Sequence, residues 1–402
     1  MHIYDRLGVR RRINAAGTLT RLGGSLMPPD VLEAMTEAAQ WAVDIAELQA
    51  TASTVIAECT GAEAGLVTSG AAAALTLGAA ACLTGLDVAR MERLPDTDGM
   101  PNEVLMCRSH RTTYDHAIRA AGVRIKEVGF NDRMLGAGVR GVEPWEIEAA
   151  VTSQTVAIAY TASASNEPSL PEVVAVGRDH GLPVIVDAAA QLPPVTNLRR
   201  FIAEGAALVA FSGGKAIRGP QSTGILCGRR DLIAAAALQL FDMDVAPETW
   251  SPPDDLIPRQ KLRGVPHHGL GRGFKVGKEE IVGLIVALQR FVKADPIAEN
   301  AAKERQLAAI AQGLSEVPHV RLRLLPATET GRVPLLELAL DESALGRTGW
   351  AISLELQQGD LPVHANDRRA AEGILTVNPA ALRDGDEHTV AARLREVLMK
   401  RT

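Results

Sequence analysis

Aromatic side chains make up only 3% of this 402-residue chain. So few rings leave little material for the stacking platforms that bind single-stranded nucleic acid. Abundant alanine and 36 glycines favour close packing of helices on sheets instead. A positive excess is also missing: 42 Lys and Arg face 48 Asp and Glu, a net charge of −6. No basic face is implied, which argues against nucleic acid as the main partner. The four cysteines, Cys59, Cys82, Cys107 and Cys227, are far apart and form no CxxC pair. That spacing excludes a disulfide framework or a zinc site and points to a reducing cytoplasm. The opening MHIYDRLGVRRRIN lacks the apolar stretch a secretory signal needs. Residues 64–86 are uncharged and long enough to span a bilayer. Their Ala, Gly, Ser and Thr content, with Ser69 and Gly70 near the start, reads instead as strand, turn and buried helix, so no membrane partner is expected.

What is present alternates. Short apolar runs, AGLVT (64–68), EVLMC (103–107), VRIKEVG (123–129), TVAIAY (155–160), PVIVD (183–187), ALVAF (207–211) and TGILCG (223–228), end in turn or polar residues. Helical stretches such as EPWEIEAAV (143–151) and LPEVVAVGRDHG (170–181) lie between them. This pattern predicts a mostly parallel, seven-stranded sheet covered on both faces. Only a short loop joins the last two runs, so one of that pair is expected to run antiparallel. From residue 278, KEEIVGLIVALQRFVKA reads as a long amphipathic helix; VRLRLL, PLLELAL, ISLELQQ and GILTVN then alternate with helical stretches. The division expected is a helical arm (1–50), a large α/β domain (51–277), and a connecting helix with a smaller α+β domain (278–402).

Three features carry chemistry. In AFSGGKAIRGPQSTGIL (210–226), Lys215 follows a strand and a Ser212-Gly213-Gly214 break. That places an amine at a strand's carboxyl end, where open α/β sheets bind ligands, although an isolated GGK is ordinarily a surface turn. In TSGAAAAL (68–75), Ser69, Gly70 and Ala71 lead into a helix whose free N–H groups can hold a phosphate, and the same residues also serve as ordinary caps. In PVIVDAAAQLPP (183–194), Asp187 closes a strand, either as a turn or cap aspartate or as a carboxylate for a cationic ring nitrogen. Lys215 follows 28 residues later, after one helical stretch, which puts both on one sheet edge. A phosphate cradle, a carboxylate and a lysine are what pyridoxal phosphate requires. The small residues beside Lys215 are expected to leave room for a flat cofactor.

In this order along an α/β chain, these features resemble the fold type I pyridoxal-phosphate enzymes of the aspartate aminotransferase class. Within that class the chain is similar to the selenocysteine synthase-like group. The likeness rests on INAAGTLTRLGGS (13–25), TGAEAGLVTSGAAAAL (60–75), VDAAAQLPP (186–194), SGGKAIRGPQSTGIL (212–226) and GLGRGFKVGKEEIVGL (269–284). The resemblance implies Lys215 as the Schiff-base lysine, Asp187 as partner of the pyridine nitrogen, and Ser69, Gly70, Ala71 and Ser212 at the phosphate. His110, Tyr114 or His116 would cover the ring, His110 foremost because it is nearest its strand end, and Asn166 would meet the ring hydroxyl. Arg218, Arg272 and Lys275 are candidates for an acidic substrate group, with Arg21 and Arg383 behind them.

Fold alone does not select the reaction. The whole-chain likeness to the ammonia-lyase branch implies removal of a β hydroxyl and ammonia from a small hydroxy amino acid or amino sugar acid, leaving a 2-oxo acid. Selenium transfer to seryl-tRNA is the main alternative, with the acidic charge and the early INAAG motif against it. Aldol cleavage, racemisation and transamination use the same cofactor. The group also implies a homodimer, with residues 264–280 contributing across the interface.

Overall fold

The computed structural model describes residues 2–130, 141–163 and 166–400, in two compact units: Met27–Val292, and Met1–Leu26 with Lys293–Thr402. Strand β1 (Ile13–Ala15) belongs to the second of these. Seven strands build the first: β2 (Ala64–Thr68), β3 (Glu103–Cys107), β4 (Arg124–Val128), β5 (Thr155–Thr161), β6 (Val184–Asp187), β7 (Leu208–Ser212) and β8 (Gly224–Gly228). Their order is β2-β8-β7-β6-β5-β3-β4. Only β8 runs against its neighbours, because the link from Gly213 to Thr223 is too short for the crossover that a parallel strand requires.

Alternate residues of each strand face opposite cores. Leu66, Met106, Ala159, Ile185 and Leu208 pack in one cluster with the helices Ala71–Thr84 and Arg230–Leu240. Val67, Ile158, Val186, Val209 and Phe211 pack in the other, with Ile45–Thr60, Leu170–Asp179 and Lys278–Lys293. The sheet is therefore buried on both faces, as its near-continuous apolar strands require. With β8 reversed, the carboxyl ends of the other six strands share one edge with the start of β8.

The second unit holds β9 (Val320–Leu325), β10 (Leu335–Leu340), β11 (Val363–Ala365) and β12 (Ile374–Val377). An antiparallel sheet runs β12-β10-β9, and β1 pairs in parallel with β11. Leu336 and Leu338 of β10 pack with Leu307, Ile310, Val390 and Leu394 of two helices.

The expected boundaries move at both ends. Residues 1–26 are no arm: Ile13 and Ala15 are buried in the core of the carboxyl-terminal unit through the β1–β11 pairing. The helices Pro29–Ala38 and Ile45–Thr60 fall in the large unit, as does nearly all of Lys278–Lys293, whose Ile281, Leu284 and Leu288 lie in its core. ISLELQQ is mostly helix, within Gly349–Leu356; Thr348 Oγ1 caps the Ala351 N–H, and Ile352 and Leu356 are buried one turn apart.

Candidate active site

The carboxyl edge of the sheet sets the candidate residues in two rows. In one, Gly224 lies between Thr68 and Ser212; in the other, Asp187 lies between Thr161 and Ala210. Beyond Thr68 the chain turns through Ser69 and Gly70 into the helix Ala71–Thr84. Gly70, not Ser69, is the N-cap of this helix, and no side chain among the described residues caps its first N–H groups. Gly70 holds φ 131° and ψ 164°, a conformation essentially restricted to glycine, with open space where a Cβ would stand. Behind the turn, a Cβ on Gly224 would come within 2.4 Å of the Gly70 carbonyl carbon and 2.6 Å of the Ala71 nitrogen. The turn thus rests directly on the β8 backbone.

Lys215 is half-buried in the turn after β7. The Gly213 N–H donates to the Thr223 carbonyl at 2.9 Å, and the Gly219 N–H to the Gly213 carbonyl at 2.9 Å. The glycines here have a reason different from the one expected. A Cβ on Gly213 would meet Thr223 Oγ1 at 2.1 Å, and one on Gly214 the Cα of Gln221 at 2.5 Å. They let the loop fold onto itself rather than leave space for a ligand. Arg218 lies in the same loop with a left-handed φ of 62°, uncommon for a residue other than glycine, and its N–H donates to the Lys215 carbonyl at 3.1 Å.

The Asp187 carboxylate accepts from the Ala189 N–H at 3.0 Å. Burial pushes its pKa up, while that N–H bond and the charge of Lys215 pull it down; Asp115 adds to the rise. Lys215 and Asp187 thus feel one another across the edge. Asp187 also lines a cavity with Leu75, Thr112, Tyr114, Asp115 and Thr161.

His110 is placed differently from the expectation. It is 2% exposed, its ring meets Tyr160 edge-on at 4.8 Å and 83°, and neither ring nitrogen has a partner among the described residues. Burial alone lowers its pKa to about 4. Tyr114 lines the Asp187 cavity, while His116 lies exposed against Arg119 at 3.0 Å. The Asn166 amide donates to the Thr161 carbonyl and bonds the Tyr160 side chain, both at the end of β5.

The cations divide. Arg218 shares the Lys215 loop, whereas Arg272 pairs with Asp242 at 2.5 Å and Lys275 is exposed after the turn Leu270–Phe274. Arg383 is bound to Asp386 at 2.9 Å, and Arg21 acts on His364; both lie in the other unit. Sequence reading passed over Asp115, which is 4% exposed, and its partner Arg111. Both stand in the CRSHRTTYDHAI stretch, but an aspartate opening a helix reads as a cap, and nothing local marks it as facing a strand end 70 residues on.

Comparison with known proteins adds a frame to this geometry. Residues 12–240 match the family described as L-seryl-tRNA selenium transferase (SelA). A 5'-C-glycyluridine monooxygenase-decarboxylase from Streptomyces sp. is 32% identical over 98% of this chain and 92% of its own length. D-glucosaminate-6-phosphate ammonia lyase from Salmonella typhimurium is 31% identical over 98% of each chain. A solved structure of a D-glucosaminate-6-phosphate ammonia lyase covers 99% of this chain and 98% of its own at a TM-score of 0.82 and 30% identity. A cysteine desulfurase, CsdA from Escherichia coli, shares the fold at a TM-score of 0.54 and 16% identity, over 93% of this chain and 92% of its own.

Proposed function

Because this chain belongs to the L-seryl-tRNA selenium transferase (SelA) family and has the fold type I architecture of pyridoxal-phosphate enzymes, we propose that it is a lyase acting on a small hydroxy amino acid or amino sugar acid. Pyridoxal phosphate is its cofactor. The donor set fits that group: uncapped helix N–H groups above an open Gly70, a carboxylate in a cavity, and a lysine close enough to act on it. The observation that carries the reading is the placement of Asp187 at the end of β6 and of Lys215 in the turn just beyond the end of β7, its parallel neighbour.

When bound, pyridoxal phosphate supplies the electron sink that weakens bonds at an amino acid's α carbon. The residues do the remainder. Ser69, Gly70, Ala71 and Ser212 hold the phosphate, with the helix N-terminus supplying N–H donors and partial positive charge. Asp187 would face the ring nitrogen and favour its protonated form. Lys215 Nζ takes the α-proton as general base. His110, or Tyr114, two-thirds exposed at the cavity, would cover the ring. Asn166 would meet the ring hydroxyl. Arg218 binds the substrate's acidic group; Arg272 joins it by exchanging Asp242 for that group, with Lys275 nearby in sequence. Loss of the α-proton and β hydroxyl, then addition of water, leaves a 2-oxo acid and one ammonia.

We also place the enzyme in the cytoplasm as a homodimer. Free thiols at Cys59, Cys82, Cys107 and Cys227 suit a reducing compartment, and no helix of the described residues is long and apolar enough to cross a membrane. The dimer follows from the family likeness, with residues 264–280 as the contributing segment.

The relative named a monooxygenase-decarboxylase supports a second reading, oxygen-dependent decarboxylation of an amino acid. The test is incubation of the holoprotein with hydroxy amino acids and amino sugar acids, with and without oxygen. Equal ammonia and 2-oxo acid in both atmospheres, reduced at least ~100-fold in Lys215→Ala, is expected. Carbon dioxide formed only in air would favour the second reading, and no product from any substrate would overturn the first.

A further inference from the structure

We propose that Asp115 is a positioning residue that acts through Asp187 to set how firmly the ring end of the cavity holds a proton. The inference rests on the assignment of Asp187 to the cofactor's ring nitrogen.

Asp115 and Asp187 line the same cavity, from different elements: the short helix Asp115–Arg119 and the end of β6. A carboxylate 4% exposed is costly unless it is paired. Among the described residues, the bonds of Asp115 run to Arg111 and Thr112. Arg111 Nε bonds its Oδ2, and the Thr112 N–H donates to its Oδ1 at 3.2 Å. Arg111 continues outward to Glu127, and Glu127 pairs with Arg108 at 2.9 Å. Charges therefore alternate from the cavity to the surface: Asp115, Arg111, Glu127, Arg108. At the inner end Asp115 shares the cavity wall with Asp187, of the same sign.

The groups acting on Asp187 are the Ala189 N–H from its own loop, Lys215 from the turn after β7, and Asp115 from the short helix; Tyr114 and Tyr160 line the cavity as neutral neighbours. Two carboxylates on one cavity wall add negative charge there and favour a cation placed against them. The rise that Asp115 imposes on Asp187 has that sign. A pair serving only to fasten the Arg111 loop has no need of a place in the cavity wall. Here the wall carries a second negative charge, and Arg111 moderates its strength.

The test follows the pH-dependent absorbance of bound pyridoxal phosphate in wild type, Asp115→Asn, Arg111→Gln, the double variant and Asp187→Asn. Removing the negative charge at 115 should move the transition down by about one pH unit and weaken cofactor binding to the apoprotein about tenfold. Removing the positive charge at 111 should move the transition up, and the double variant should return it toward wild type. Both single variants leaving it unmoved, or moving it the same way, would overturn the proposal, since a packing defect carries no sign. Asp187→Asn separates the two levels. If that variant keeps the wild-type transition and affinity, the assignment of Asp187 itself fails; if it changes them while the Asp115 and Arg111 variants do not, only the present inference fails.

Discussion

His110 is enclosed with both ring nitrogens unpartnered and a pKa lowered to about 4, so it is neutral in the native state. An unfolded histidine titrates near 6.5. The unfolded chain therefore takes up a proton that the folded chain refuses. The stability tied to this group is complete above about pH 6.5 and is lost as pH falls, at up to about 1.4 kcal/mol per unit, until about pH 4. His110→Phe keeps the ring edge against Tyr160 and removes the titration. At pH 5 the variant should retain about 2 kcal/mol more of its neutral-pH stability than wild type, read from urea midpoints at pH 7.5 and 5. Parallel losses in the two proteins would show that the imidazole is not the group responsible. Other titrating groups, among them His364, also lowered to about 4, and Asp187, raised, act equally in both proteins and cancel in the comparison. At this scale the strand-end positions of Asp187 and Lys215 were legible, because one closes an apolar run and the other follows one by a short turn. His110 was not, since its orientation depends on Tyr160, fifty residues away, and Asp115 was not, since its charge partner in the cavity lies on another strand.

Strands and turns were easier to read than side-chain directions. AGLVT, EVLMC and VRLRLL coincide with β2, β3 and β9 because apolar content and turn residues change together at their ends. ISLELQQ went astray because alternation and helical spacing both fit so short a run, and the Thr348 cap decides it. β1 and β11, three residues each, carry too little pattern to declare themselves and exist through mutual pairing. The turn proposed for the phosphate was read from Ser69 and Gly70, but the residue it rests on, Gly224, was read only as the start of a strand. That seat is testable. Gly224→Ala puts a methyl into the Gly70–Ala71 peptide, an overpacking that should cost about 1–3 kcal/mol in stability. By displacing the turn it should also weaken pyridoxal phosphate binding about tenfold or more. Cofactor fluorescence titration and denaturant midpoints measure the two effects, and unaltered cofactor affinity in Gly224→Ala would remove Gly224 from the cradle.

At the scale of the whole molecule, the amino-terminal segment was misassigned because the pairing that claims it spans some 350 residues of sequence, beyond the reach of local pattern. Charge, by contrast, is a global property that sequence reports directly, and it bears on the selenium-transfer alternative. A protein that holds tRNA neutralises several phosphates with Lys and Arg, and that contribution dominates affinity. This chain carries a net −6. Several arginines near its candidate residues are already committed to carboxylates: Arg111 and Arg108 to Glu127, Arg272 to Asp242, and Arg383 to Asp386. Binding a polyanion would require breaking such pairs against a field of the wrong sign. The expected outcome is that seryl-tRNA is not retarded at micromolar protein in about 0.15 M salt, with any residual binding no tighter than the ~10⁻⁴–10⁻⁶ M of non-specific contacts. A complex that forms at nanomolar protein, survives added salt and discriminates among tRNAs would mean that phosphate contacts are concentrated where the net charge does not reveal them. The reaction would then be assigned to transfer rather than elimination, while the roles of Lys215 and Asp187 toward the cofactor would stand, since both reactions require them.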